Sequence, residues 1–567
     1  MLTGWAIVKS ATAIDSSTER NFCEGGMSGL SMTTRLLDVL HPEPFVRADA
    51  IFLRETVAFA FATGDVDDVL ERVVDESPLA PSEFDDGKFG RDVFLDELVS
   101  RCMPVIAEGK VLPVRGRLLR RVIGRPPRDP AVAAFRQEIL RELVARPELR
   151  LALERFYVRL RHLRELLTRM GGGVRVAAHR RRLDVLRTIV EVVRAGCPFA
   201  RATSGLRRIG EWATGLHRSP SIARIVQLLA YEDGAAEVDL RVRLGYDGRI
   251  RELAVTGRRE PIENPFHRSA ARRFMDKLEL LVRGYRFGED EILARLVDEV
   301  FAGVEEELPP LFLLLGDLEV YLASLAFRDG AMRSGLAVCL PELRDGGPRE
   351  LDGLFNPLLL AEGSTVIPCS VHTSQEGALV VVTGPNSGGK TRLLQAVALS
   401  QLLGQAGLFA PVRAASLPRA RGLFVSLIEE ARADQREGRL GTELMRIRRL
   451  FEELEPGALV ILDELCAGTN PSEGEEIFRL VVKLLGELGP SAFITTHFLS
   501  FAGRLAREGT SLEFLQVELD ADERPTYQFV PGVASTSLAH RTAARLGVTE
   551  ESLRRVLRVR HDAAAPN

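Results

Sequence analysis

Residues 378–399 read ALVVVTGPNSGGKTRLLQAVAL, and this stretch decides the fold. Leu379 to Val382 form a short Val-rich apolar run, the pattern of a buried parallel strand. Gly384, Pro385, Asn386, Ser387, Gly388, Gly389, Lys390 and Thr391 then match G-x-x-x-x-G-K-S/T, and from Arg392 the apolar residues recur every three to four positions. Strand, glycine-rich turn and helix in that order predict a phosphate-binding loop. Backbone N–H groups crowd around the phosphates, the helix N-terminus adds positive potential, and Lys390 supplies a point charge. The Thr391 hydroxyl is placed to ligate Mg²⁺. The bland alternative is a chance eight-residue match, and the downstream sequence argues against it.

Residues 458–470, ALVILDELCAGTN, predict a second apolar strand ending in two adjacent carboxylates. Asp463 is expected to hold Mg²⁺, directly or through water, and Glu464 to polarise an attacking water as general base. Residues 491–499, SAFITTHFL, predict a third strand, ending in Thr495, Thr496 and His497. On chemistry alone His497 either bonds a γ-phosphate oxygen or the lytic water, or satisfies local backbone groups. Strands alternating with helices at 391–407, 442–454 and 473–488 predict an α/β nucleotide-binding domain with ligand at the strand ends.

With 567 residues, 46% of them hydrophobic, the chain has material for two to four domains. The formal net charge of −4 neither requires nor excludes nucleic acid, because a local basic stripe hides in a neutral total. Residues 1–22 show no basic segment followed by a long apolar one, so no secretory signal is expected. The most apolar cluster, LPPLFLLLGDLEVYLASLAF, is interrupted by Asp317 and Glu319, so no membrane association is expected. Six scattered cysteines without short spacings read as reduced thiols in a cytoplasmic protein, without structural zinc.

Residues 1–30 read as irregular, and 31–340 as a mostly helical body beginning with a helical pattern from Thr33. Pro147 predicts a kink or break within 131–170, and Gly171 to Gly173 a helix end. A helix at 178–194 carries His179, Arg180, Arg181, Arg182 and Arg187. It is either a phosphate-contacting stripe or a solvated face balanced by Asp184 and Glu191. Residues 237–256 alternate apolar and charged side chains around Asp247-Gly248, predicting a hairpin. Long helices are expected from about 268 to 328, and a boundary at 341–348.

TGPNSGGKT, LVILDELCAGTNPSEG and ITTHF together resemble the ATPase domain of the MutS mismatch-repair family, part of the ABC ATPase superfamily. The resemblance is strong over 350–557 and fainter over 31–340. It implies a multidomain fold, with a helical core and lever followed by an α/β P-loop NTPase of ABC type. It implies ATP and Mg²⁺ as cofactors, ATP hydrolysis, a homodimer through the ATPase domain, and DNA as partner in repair or recombination. By the same resemblance Asn386 contacts nucleotide phosphates, Gln395 matches a family glutamine, and Asp463, Glu464 and His497 take the family's metal, base and histidine positions. LFNPLLL at 354–360 and STVIP at 364–368 resemble segments that approach the base. TYQFVPGVASTSLAHRTAARLG at 526–547 resembles the dimer-forming tail, before a tail at 558–567. The run ELCAGTNPSEG resembles the branch that does not act in classical mismatch repair.

Four departures shape the expectation. No mismatch-reading domain is expected before residue 33, and mismatch specificity is therefore not expected. The clamp is reduced to the 237–256 hairpin, and no nuclease domain is expected after the ATPase. The signature that reaches the partner's nucleotide is altered: EGRLGTELMRI at 437–447 puts Gly441 and Thr442 near the serine position, so hydrolysis is expected to be slow unless Thr442 replaces the hydroxyl. The competing reading is an ATP-dependent protein-interaction switch that does not touch DNA.

Overall fold

The computed structural model describes residues 37–64, 66, 68–168, 175–234, 237–244, 250–259, 297–427, 439–466, 470–509, 511–535 and 547–563. The first described helix is α1 (Ala50–Thr63), capped by Asp49, whose carboxylate accepts from the backbone N–H groups of Ile51 and Phe52. The helical pattern expected from Thr33 is not realised over 37–40. Asp38 Oδ1 takes the N–H groups of Leu40 and His41 at 2.8 and 3.1 Å, which offers this backbone an alternative to a helix. Leu37, Val39 and Leu40 are nonetheless buried, which accounts for their apolar spacing.

Three long helices follow: α2 (Pro130–Ala145), α3 (Pro147–Thr168) and α4 (Arg175–Gly196). Pro147 opens a new helix, where its missing N–H costs nothing, and so the chain breaks at Arg146 rather than bending through it. The glycine triplet at 171–173 lies outside the described residues. The expected hairpin is present as β1 (Glu237–Leu244) paired antiparallel with β2 (Ile250–Arg259); its turn lies outside them too. So do residues 260–296, which held the start of the helices expected from 268.

Neither reading of the basic face of α4, phosphate-contacting or solvated, holds for every described side chain. Arg181 is buried and donates to the carbonyls of Ala60, Phe61 and Leu166, the last turns of α1 and α3. The last carbonyls of a helix lack the next-turn N–H partner, although Ala60 O also accepts the N–H of the C-cap Gly64 at 2.8 Å. Arg182 bonds Ala62 O and Asp298, and Arg187 pairs with Asp184.

The core helix α5 (Pro309–Arg333) is apolar almost all round and packs against α1, α3 and their neighbours. By length and composition alone it would cross a membrane, but 89% of its most apolar window is buried in the protein. The two carboxylates that interrupt its run have inward partners. Asp317 receives both bonds from Arg47 Nη1, at 2.7 and 2.8 Å, and Glu319 accepts from the Tyr157 hydroxyl at 2.9 Å.

The second half is α/β. Its six-stranded sheet contains β3 (Leu379–Thr383), β4 (Leu423–Ser426), β5 (Leu459–Leu462), β6 (Ser491–Thr495), β7 (Leu512–Leu519) and β8 (Pro525–Pro531). The spatial order is β4-β5-β6-β3-β7-β8, parallel except for the final antiparallel pair. Every residue of β3 and β5 is buried, as central strands covered on both faces require. The helices α6 (Lys390–Gln405), α7 (Arg439–Glu453) and α8 (Pro471–Leu488) complete the alternation, in the manner of a P-loop NTPase. A second sheet joins Glu342–Arg344, Ala414–Pro418, Glu350–Leu354 and Cys369–His372. The expected boundary at 341–348 is therefore occupied by a strand paired into the second half.

Helix α6 is buried along nearly its whole length, because the sheet lies on one side and the helical body on the other. Its C-terminal end is fixed to that body. Arg136 from α2, itself buried, donates to Ala406 O at 2.9 Å and to Leu40 O at 3.0 Å. Gly407 sits at φ 82°, and a Cβ there would lie 2.6 Å from Ala133 O, so only glycine lets the two backbones meet.

Candidate active site

The loop from Gly384 to Lys390 leaves the end of β3 and turns into α6. Gly384 has φ 144°, and a Cβ on it would come within 2.6 Å of Val517 Cγ2 on the neighbouring strand. Ser387 is held at φ 67°, a left-handed conformation that costs a non-glycine residue about 1 kcal/mol or more. Asn386 and Ser387 are exposed at the crest, while Gly388 N–H closes the turn onto Pro385 O at 3.1 Å. Lys390 is buried, with Nζ donating to Gly384 O at 3.0 Å and Pro385 O at 3.1 Å. Burial lowers its pKa, against the pull of Glu464 and Asp463. An ammonium held by two neutral carbonyls has no anionic partner in direct contact, and a phosphate would supply one.

Three strand ends meet beside this loop. Asp463 follows β5, with its N–H bonded to Ser426 O. Its Oδ2 accepts from Thr391 Oγ1 at 2.6 Å, and its Oδ1 accepts from Thr495 Oγ1, also at 2.6 Å. Thr495 Oγ1 in turn accepts the Glu464 N–H at 2.7 Å. Thr495 therefore fixes both acidic residues. Its neighbour Thr496 bonds back to Val382 O across to β3.

Glu464 sits at φ 49°, and so is turned out of line with the strand that carries it. A side chain held in that region costs roughly 1–3 kcal/mol and needs the surroundings to enforce it; here the Thr495 hydroxyl does so. His497 Nε2 is hydrogen-bonded to Glu464 Oε1. That bond, and the charge of His497 and Lys390, hold the Glu464 carboxyl below the usual range despite partial burial. Glu464 is thus ionised at neutral pH, as a base must be.

A cavity of about 620 Å³ runs from the loop to the segments 354–360 and 364–368. Its volume lies within the span usual for small-molecule sites. Its lining includes the polar Asn386, Lys390, Thr391 and Glu464 and the apolar or aromatic Phe355, Val366, Ile367, Tyr527 and Phe529, with the Tyr527 ring against Gly389 of the loop. Both segments that resembled base-approaching sequence reach it. So does part of the stretch that resembled a dimer-forming tail: β8 is an edge strand of this chain's own sheet, and the following residues 536–546 lie outside the described ones.

Gln395 is buried on the second turn of α6, with Oε1 accepting from Asn356 Nδ2 at 3.1 Å and Arg392 Nη1 at 3.2 Å. It is not among the cavity's wall residues. Asn356 is a residue that the sequence reading passed over. It caps the short helix Pro357–Ala361 through Leu358 N–H and bonds Arg392 O, so it ties the apolar wall to the loop helix. Asn before Pro was the available signal. Gly441 and Thr442 fall in the first turn of α7, and the residues 428–438 before them lie outside the described ones.

Comparison with known proteins agrees with this geometry. Residues 380–559 match the family model described as MutS domain V. The chain is 34% identical over 205 residues to the endonuclease MutS2 of Thermomicrobium roseum, covering 35% of this chain and 25% of that protein. It is 30% identical over 286 residues to the endonuclease MutS2 of Thermus thermophilus, covering 49% and 36%. With that of Pelotomaculum thermopropionicum it shares 27% identity over 370 residues, covering 63% and 44%. The resemblance to the MutS family read from the sequence is therefore met, and the chain spans less than half the length of each of these relatives.

Proposed function

We propose that the chain is an ATPase of MutS and ABC type that works as a homodimeric switch, its nucleotide state setting the affinity of the helical region for DNA in repair or recombination. The observation that carries this is the hydrogen-bonded chain Thr391–Asp463–Thr495, with the Glu464–His497 pair beside it, at the mouth of a nucleotide-sized cavity. On this reading 350–557 is the ATPase domain, and 31–340 holds the core, lever and reduced clamp. The cytoplasmic setting expected from the cysteines belongs to the same proposal.

Thr391 and Asp463 present one hydroxyl and one carboxylate 2.6 Å apart, a sparse hard-oxygen set of the kind Mg²⁺ takes when phosphates and water complete its octahedron. When bound, the ion offsets charge on the β- and γ-phosphates. Lys390 exchanges its two carbonyl partners for phosphate oxygens, and the loop N–H groups orient the same oxygens. Glu464 takes the proton of the attacking water, and His497 holds the Glu464 carboxylate in place and senses the γ-phosphate. Gly441 and Thr442, at the start of α7, serve the nucleotide of the second copy.

One observation favours the reading without DNA. Arg181, Arg182 and Arg187, which made α4 look like a phosphate-contacting stripe, are engaged within the chain. Turnover measured over a protein concentration series, with and without linear and branched DNA, separates the two. A rate per chain that rises with concentration and changes on adding DNA supports the switch. A DNA-independent rate, with no salt-dependent DNA binding, selects a protein-interaction role instead.

A further inference from the structure

Strand β6 runs between β5 and β3, and its pairing sets Ile494 beside Leu462. The next positions on these two parallel strands are Thr495 and Asp463, so both side chains leave the same face of the sheet. Extended backbone would send the side chain after Asp463, that of Glu464, to the opposite face. Its φ of 49° breaks this alternation, and Thr495 Oγ1 accepts the N–H of the strained residue at 2.7 Å. A threonine hydroxyl has one proton to give, and this one goes to Asp463 Oδ1 at 2.6 Å. Branching at Cβ limits χ1 and with it the direction of the hydroxyl.

Thr495 is fully buried and is not a wall residue of the nucleotide cavity; Thr391, which bonds the other carboxylate oxygen of Asp463, is one. Asp463 is thus met from the cavity side by Thr391 and from the protein interior by Thr495. The neighbouring Thr496, also buried, shows a purely local use of the same side chain. Its hydroxyl accepts the Phe498 N–H at 3.1 Å, where the chain turns into helix Leu499–Arg507. Thr495 instead reaches across to the end of another strand, 31 and 32 positions away in sequence, and holds two consecutive acidic residues there with one oxygen. A displacement of either residue is therefore felt by the other.

We propose that Thr495 is a positioning residue for ATP hydrolysis, its single hydroxyl setting the Asp463 carboxylate and the backbone of Glu464 in one fixed relation. This rests on the reading of Asp463 as metal ligand and Glu464 as base given above. Loss of the hydroxyl frees both groups at once. The phosphate loop keeps its own bonds, so nucleotide affinity is spared while the chemical step is not.

Three variants of the full chain test this, by steady-state turnover and by the Mn²⁺ affinity of the ADP-bound chain, read by electron paramagnetic resonance without turnover. Thr495→Val removes the hydroxyl and keeps the branch, Thr495→Ser does the opposite, and Thr495→Ala loses both. In the valine and alanine variants kcat should fall about 10–100-fold, with KM for ATP changed less than about threefold. Mn²⁺ affinity should fall about tenfold in the same two, and the serine variant should stay within about threefold of wild type in every measure. A threonine that served the fold alone would lower Tm and leave kcat of the folded chain unmoved. Wild-type kcat in Thr495→Val, wild-type Mn²⁺ affinity in it, or a serine variant as slow as the alanine one overturns the inference. Where Thr495→Val does not fold, the serine and alanine variants decide it, since they differ by the hydroxyl alone. A wild-type chain without ATP turnover overturns the underlying reading too, and so is told apart from failure of this inference alone.

Discussion

Under α5, Arg47 closes onto Asp317 through two short bonds and donates a third to Ser77, while Asp38 holds His41. At the strand ends, Lys390 instead rests on carbonyls of its own loop, and Glu464 is held at a backbone angle that its neighbours must enforce. Both clusters are buried or nearly so, and both carry charge. In the first, cation and anion bond each other directly and only Arg47 Nε lacks a partner, so the charge is met by the folded chain alone. In the second, a cation lies close to two carboxylates without bonding either, an arrangement that leaves room for a third, more highly charged group. Buried charge bonded directly to its opposite reads as architecture, and buried charge held back from such a bond reads as a site.

The strongest way to break this contrast is Glu464→Gln. It keeps the shape and the hydrogen bond to His497 but removes the base, so turnover should fall about 10²–10⁴-fold. ATP binding by equilibrium titration should change little, because Glu464 is assigned to the water rather than to the phosphates. Unchanged turnover would rule out the base assignment. Fold stability should hold or fall slightly, since the folded chain favours the ionised Glu464 through His497 and Lys390.

The matching change in the saturated cluster is Arg47→Ala. It leaves Asp317 buried without a cation, and chemical denaturation should report a loss of about 3–5 kcal/mol. ATP affinity of the folded fraction should be unaffected. A loss below about 1 kcal/mol would mean that Asp317 is protonated and that the pair is not ionic, which would remove one side of the comparison.

Glu319 sharpens the contrast from an intermediate position, since it has one hydroxyl partner and lines a cavity of about 260 Å³ beside helix Val69–Glu76. Burial pushes its pKa to about 7, against the pull of Tyr157, Arg164 and Arg161. The folded chain therefore keeps a proton between about pH 4.5 and 7 that the unfolded chain has released. Stability from this group is present below that window and lost as pH rises through it, by at most about 1.4 kcal/mol per pH unit. Because the carboxyl faces a water-accessible space, the total should be nearer 2 kcal/mol. Glu319→Gln should flatten this part of the pH profile of Tm, and an unchanged slope would show that Glu319 titrates normally.

These cases also show what was legible in the sequence. The phosphate loop, the Asp463–Glu464 pair and His497 each lie within a few residues of a strand end, so a local pattern carries them. The β1–β2 pairing was legible for the same reason, through alternation over neighbouring positions. Asp317 and Glu319 were read only as breaks in an apolar run, because their partners Arg47 and Tyr157 lie 270 and 162 positions away. The expected helix from Thr33 failed over 37–40, where the Asp38 side chain competes for backbone N–H groups that a helix would use. Arg181 looked like a surface charge because nothing in its own helix reveals that two other helices end against it.

The smallest effect is expected at Asn356, where the two kinds of cluster meet. Its Oδ1 caps Leu358 N–H, which is architecture; its Nδ2 bonds Arg392 O and Gln395 Oε1, which sets the cavity's apolar wall against the loop helix. Asn356→Ala removes the cap, at about 1 kcal/mol of stability by thermal or chemical unfolding. Gln395 Oε1 still has Arg392 Nη1, so it is not stranded, and the stability loss should stop there. The wall, however, is then free to shift against α6, and ATP affinity should fall about fivefold, or about 1 kcal/mol. Asn356→Asp separates the two roles, since it keeps the capping oxygen but loses both donors and sets a carboxylate against two acceptors. If Asp restores stability and leaves ATP affinity reduced, the wall is held through Nδ2; if Asp restores both, Asn356 is only a helix cap and belongs with the saturated side of the comparison.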